Sequence, residues 1–425
     1  MIGRAGAAAV ALSTCVLLAA PATGFAAESG DPVPPPVRSA VPSGARPTPE
    51  TAQMGPTQCS NTGTASAELT SDETVRMQLD RLHRIATGRG QRIGVIDTGV
   101  ARHPGLAGRL LGGGDYLAGG DGLQDCDGHG TAVAGIIAAQ PPPGSPAGMT
   151  GMAPDAEVLS VRQTSDALTV TDGRGSKVSP GTTTTLAKAI VLAVDQGATV
   201  INMSEAACVP AAQAGEVGDL MHAALDYAAG HDVVVVAAMG NAAGRTCVGQ
   251  DLVSMPAWFD DDVLAVGAAD AFDAAAAFSF RAPYVDVAAP GTAIDSLAPG
   301  GGYTAEAVNG TSFAAPWVAG LAALLRERFP QLSARQIVDR IVATARRPAQ
   351  GRDTALGYGV IDPMAALTSA PLILSAGEEE TRPAATLPGT TPLPDQPAPG
   401  VPYDVVVLGL LVLASTVVAL RLRRP

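Results

Sequence analysis

Val233-Val234-Val235-Val236-Ala237-Ala238 is an apolar run with no side for water to face. A strand exposed on one face alternates apolar and polar residues, whereas a strand covered on both faces reads as an unbroken run. Similar runs occur at Arg92–Asp97, Glu157–Val161, Thr199–Met203, Val263–Gly267 and Val285–Ala288. Between and after them, helical spacing of apolar residues marks Gly130–Ala139, Thr182–Gln196, Val217–Ala229, Ser312–Phe329 and Ser333–Ala345. An earlier helix is expected at Ser71–Ala86, where Val75, Leu79, Leu82 and Ile85 follow a Ser71/Asp72 cap. Alternating strands and helices predict a doubly wound α/β domain over residues 71–370, with a mostly parallel sheet and helices on both faces.

The flanks differ from this body. Residues 1–26 combine Arg4, an apolar Ala7–Ala20 and small residues at Gly24-Phe25-Ala26, the layout of an export signal. Residues 27–70 form an extension whose Asp31–Pro56 stretch is rich in Pro, Ser and Thr and is expected to be extended. After the domain, residues 371–402 are a Pro-rich, acidic linker. Residues 403–421 hold the uncharged run Val405–Leu420, and 422–425 are a short arginine-rich tail. At 1.5 Å per residue the run rises about 24 Å, and Pro402, Tyr403 and snorkelling arginines extend it toward the roughly 30 Å of a hydrocarbon core. One membrane-spanning helix is therefore expected. Arginines beyond it place the tail in the cytoplasm and the domain outside.

Charge narrows the partners. The chain carries a formal charge of −13 and only two lysines, Lys177 and Lys188. Such a surface repels phosphates, so nucleic acid is not expected as a partner. Of five cysteines, Cys15 lies in the export signal, leaving Cys59, Cys126, Cys208 and Cys247. An even number in an exported chain implies two disulfides, in any of three connectivities.

Three short blocks carry chemistry. Val95-Ile96-Asp97-Thr98-Gly99 ends a buried strand in a carboxylate, and Asp127-Gly128-His129-Gly130-Thr131 puts an imidazole where a helix begins. Asn309-Gly310-Thr311-Ser312-Phe313-Ala314-Ala315-Pro316 puts a hydroxyl at the start of a long apolar helix. A serine hydroxyl is a poor nucleophile until a base lies within hydrogen-bond reach, and that base needs a carboxylate to fix its tautomer. In an open α/β sheet all three can converge beyond the carboxyl ends of the strands. Ser312 at a helix N-terminus also aims free N–H groups at a developing negative charge.

These blocks, in the order Asp, His, Ser, resemble the subtilisin family of serine peptidases over Gln91 to Leu367. The resemblance implies Asp97 as orienting carboxylate, His129 as general base and acid, and Ser312 as nucleophile. Ala238-Met239-Gly240-Asn241 is similar to the family's oxyanion block, which makes Asn241 a side-chain donor. Ile201-Asn202-Met203-Ser204 is similar to the strand leading into the substrate pocket, so Ser204, Glu205, Met239 and Gly240 are expected there. Met239 is bulkier than the residue usual before Gly-Asn and is expected to narrow the pocket. Glu205 replaces a usually apolar residue, so it either faces solvent or biases cleavage. Met255-Pro256 stands where the family often has a cis peptide, and Trp317 where many relatives carry a histidine. Calcium loops of the family are not recognisable; no metal or cofactor is expected.

The whole layout resembles the mycosins, membrane-anchored peptidases of actinobacterial type VII secretion systems. By this resemblance the chain processes exported proteins outside the cell membrane and joins a secretion membrane complex. A structural subunit of that complex, or a general surface protease without a secretion partner, are the competing readings. The same resemblance pairs Cys59 with Cys126 and Cys208 with Cys247, bracing loops near the catalytic groups. Non-reducing peptide mapping of the exported protein is expected to recover those two pairs. A Cys59–Cys208 peptide would refute the bracing.

Overall fold

The computed structural model describes residues 33–43, 47–49, 76–141, 148–171, 175–242, 247–249 and 251–370. Seven strands form one sheet: β1 Arg92–Asp97, β2 Leu110–Asp115, β3 Glu157–Arg162, β4 Val200–Met203, β5 Val234–Ala238, β6 Leu264–Ala269 and β7 Val287–Pro290. Their order is β7-β6-β5-β4-β1-β3-β2, and every neighbouring pair is parallel. The main helices are α1 His129–Ala138, α2 Thr183–Asp195, α3 Asp219–Gly230, α4 Thr311–Arg328 and α5 Ala334–Thr344.

The decisive run behaves as its composition requires. Val234, Val236 and Ala238 enter one core with α1 and α4, while Val235 and Ala237 enter a second core with α2 and α3. The twofold strand period thus feeds both faces at once. In β1 the same period sends Ile93 and Val95 to the first core and Ile96 to the second. Asp97 therefore points toward the face that carries α1 and α4. Residues Gly130 to Ala138 of α1 are all buried, so that helix is apolar on every side because no side meets water. Two helices start in capping boxes, Thr182 with Thr185 for α2 and Ser333 with Gln336 for α5.

β2 escapes the sequence reading. Leu110-Leu111-Gly112-Gly113-Gly114-Asp115 lacks the β-branched residues that mark a strand, and its pairing with β3 shifts register between Gly112 and Gly114. Edge position and close packing explain the glycines, because a Cβ on Gly113 would meet Val161 at 2.8 Å and the Ser160 carbonyl at 2.9 Å. Of the helix expected at Ser71–Ala86, Leu79–Leu82 is helical and turns follow it. Residues 33–43 and 47–49 contain no helix or strand, in keeping with an extended segment, and Arg38 N and Ser39 Oγ donate to the Asp219 carboxylate.

The chain divides into Met1–Pro371 and Leu372–Pro425. The stretches expected as an export signal (1–26), a linker (371–402) and a membrane-spanning helix (403–421) lie outside the described residues. Among the described residues no helix is long and apolar enough to cross a membrane. Replacing Ser333 by Ala removes the cap of α5 and is expected to lower stability by about 0.5–2 kcal/mol. Denaturant midpoints of the two proteins measure it.

Candidate active site

The sheet order reverses between β1 and β4, which opens a crevice at their carboxyl ends. Asp97 ends β1, and Ser204 follows β4 directly, with Ile96 paired to Met203 just behind. Asp97 is fully buried, and its Oδ1 accepts from the Thr98 amide at 2.7 Å and lies 2.7 Å from His129 Nδ1. Oδ2 is buried without a partner among the described residues. The imidazole is thus the main outlet for this carboxylate's charge. Burial opposes charging His129, but the charge and hydrogen bond of Asp97 outweigh it and hold the ring above its ordinary 6.5.

Close approach of β1 and α1 depends on Gly130. A Cβ there would lie 2.0 Å from the Gly99 carbonyl oxygen and 3.0 Å from Asp97 Oδ1. The loop before His129 hangs on Asp125, a residue that motif reasoning missed. Its carboxylate accepts from Thr98 Oγ1, the amides of Asp127, Gly128 and Thr131, and Thr131 Oγ1, at 2.6–3.1 Å. Burial pushes this carboxyl up, and hydrogen bonds from Thr131 and Gly128 pull it back. A second Asp two residues before the Asp-Gly-His block, at a helix start, was the signal available in the sequence. Asp127 reaches the other way, accepting from Ser165 Oγ and the amides of Asp166 and Ala167.

Ser312 is the second residue of α4. Pro316 sits four residues on and has no N–H to give the Ser312 carbonyl. Ser204 Oγ fills that role, donating to the Ser312 carbonyl at 2.8 Å while accepting from Asn202 Nδ2 at 2.9 Å. The expected pocket residue Ser204 is therefore a brace for the hydroxyl-bearing residue. Asn241 Oδ1 accepts from Thr311 N at 3.1 Å and Thr311 Oγ1 at 3.2 Å, which leaves Nδ2 to face the cleft. A Cβ on Gly310 would sit 2.8 Å from Ser312 Oγ and 3.6 Å from Asn241 Nδ2. The hydroxyl and the amide thus border one small space that glycine keeps open.

His129, Ser204, Glu205, Gly240, Asn241 and Ser312 line a single cleft of about 400 Å³. Among the described residues no hydrogen bond joins His129 Nε2 to Ser312 Oγ; in unliganded enzymes such bonds often close only with substrate. Met239 corrects an expectation. Its side chain is fully buried in the second core and does not narrow the cleft, because strand alternation turns it into the same core as Val235 and Ala237. Glu205 does not simply face solvent either: Oε1 lies 3.5 Å from His129 Nδ1. Asp97, His129 and Glu205 offer ligand atoms within 4.8 Å of one another, but Asp97 and His129 are spent on each other. Trp317 is buried in the first core, and Met255-Pro256 is cis. Cys208, on a ribbon that pairs residues 207–210 with 252–255, is disulfide-bonded to Cys247. Cys126 is also disulfide-bonded, while Cys59 lies outside the described residues.

A hydroxyl, an imidazole and a buried carboxylate on one cleft, with an amide opposite, can perform acyl transfer. The sequence profile of the Subtilase family matches residues 88–359, which carry all four groups. The chain belongs to the subtilase family of serine peptidases. Mycosin-4 of Mycobacterium tuberculosis (strain ATCC 25618 / H37Rv) is 45% identical over 342 residues, 76% of this chain and 73% of that protein. Among solved structures, the MycP3 protease from the type VII (ESX-3) secretion system superposes with a TM-score of 0.70 at 37% identity. That match covers 79% of this subtilase and all of the other chain. A chain of the intact ESX-5 inner membrane complex gives 0.73 at 34% identity, covering 91% of this subtilase and 99% of its counterpart.

Replacing Gly310 by Ala fills the space between Ser312 Oγ and Asn241 Nδ2. Peptide hydrolysis by this subtilase is expected to fall by about 100-fold or more, with the circular dichroism spectrum unchanged.

Proposed function

We propose that this subtilase is a membrane-anchored, extracytoplasmic endopeptidase with Asp97, His129 and Ser312 as its triad. It would process exported proteins within a type VII secretion system. The observation that carries the reading is the buried Asp97–His129 pair at one end of the cleft that Ser312 lines.

In this mechanism Ser312 Oγ attacks the scissile carbonyl while His129 Nε2 takes its proton. Asp97 stabilises the imidazolium and fixes Nδ1 as the donor nitrogen. The new oxyanion is received by Asn241 Nδ2 and the backbone N–H groups at the start of α4. His129 then returns the proton to the leaving amine, and water repeats the sequence to free the acyl group from Ser312. Protein or peptide substrates are the partners of the cleft. The C-terminal run at 403–421 supplies the lipid contact in this reading, and the secretion membrane complex the larger one.

A second reading, a mainly structural subunit of the complex, draws on the near full-length match to a chain of the ESX-5 inner membrane assembly. Two measurements test both. A fluorophosphonate probe is expected to label Ser312 in the wild type and to fail in His129→Ala; equal labelling of both would refute the triad. Ser312→Ala in cells separates the roles. Loss of substrate processing with secretion preserved favours scaffolding, and loss of both favours proteolysis as the essential step.

A further inference from the structure

Glu205 is a charge that the mechanism above leaves unused. Its Oε1 approaches the same imidazole edge that Asp97 holds, at 3.5 Å against 2.7 Å for Asp97. The two carboxylates come from different elements, the end of β1 and the segment after β4. We propose that Glu205 is a positioning residue for the peptidase reaction: a second carboxylate at the imidazole edge that makes His129 a stronger base. The inference rests on the triad reading given above.

The surroundings leave Glu205 little other work. His129 is its only charged or hydrogen-bonded partner among the described residues. Asp125 and Asp127 are committed to loop amides and hydroxyls, and Asp166 accepts from Ser179 Oγ. From α4 the neighbour is the uncharged Phe313 ring, 5.1 Å from the imidazole. The charged groups that act on His129 are thus all acidic: Asp97, Glu205 and Asp125. Burial, with the charges of Asp97, Asp166 and Asp127, also holds the Glu205 carboxyl above the usual range, opposed by His129.

The sign of the effect follows. The acid limb of kcat/KM reports ionisation in the free enzyme. Removing the Glu205 charge makes His129 less basic, so the limb moves to lower pH. For Glu205→Gln the limb midpoint is expected to fall by about half a pH unit or more. At one pH unit below the wild-type midpoint, activity as a fraction of its own plateau then rises about threefold. Glu205→Asp, with the carboxylate drawn back from Nδ1, is expected to give an intermediate midpoint. A plateau that changes while the midpoint stays fixed would show a merely structural role and overturn the inference; so would a midpoint that rises. Fluorophosphonate labelling of Ser312 at plateau pH separates the two levels. Labelling with an unmoved limb removes only the role of Glu205, and no labelling in any form removes the triad and this inference together.

Discussion

A carboxylate sealed inside a protein must be paired, and here the pairing is done by one imidazole. Asp97 has no exposed surface, and the nitrogen 2.7 Å from its Oδ1 belongs to His129. Leaving such a charge unmatched in a low-dielectric interior costs several kcal/mol. The fold therefore cannot close well over β1 unless α1 brings its first residue to the strand end. Gly130 permits that approach, Asp125 ties down the loop that makes it, and Thr98 Oγ1 donates to Asp125 and accepts from the Gly130 amide. Stability and reactivity share the same contact.

The other half of the site is built around a missing hydrogen bond. Pro316 lets α4 run on but withholds an N–H from the Ser312 carbonyl, and Ser204 supplies a hydroxyl in its place. The segment after β4 is thereby fastened to the residue that carries the reactive hydroxyl. The next residue along, Glu205, is delivered to His129 by the same fastening. A proline that looks like a helix defect thus couples the two sides of the crevice.

Much of this was legible beforehand. Buried parallel strands declare themselves as unbroken apolar runs, and β1 was read with its observed limits, Arg92–Asp97. Helix starts at His129 and Ser312 were visible because glycine and small residues cluster there. Three things were not. β2 is made of glycines chosen for close contact with β3, so it carries no strand propensity. Met239 follows a strand, and which face its side chain takes depends on the strand's phase rather than on its size. Glu205 acts through a partner distant in sequence, and no local pattern reports a charge 76 residues from the ring it approaches. The subtilase comparison fixes the family, while the resting relation between Glu205 and His129 comes from the coordinates alone.

The account stands on Asp97 preparing His129 to activate Ser312, and the most direct measurement is rapid mixing with a nitrophenyl ester. The wild type is predicted to release one nitrophenolate per enzyme in a burst, with the acyl mass trapped on a peptide containing Ser312. Asp97→Asn is predicted to stay folded and lose the burst. Linear release from the wild type with no adduct on Ser312, or an undiminished burst in Asp97→Asn, would contradict it.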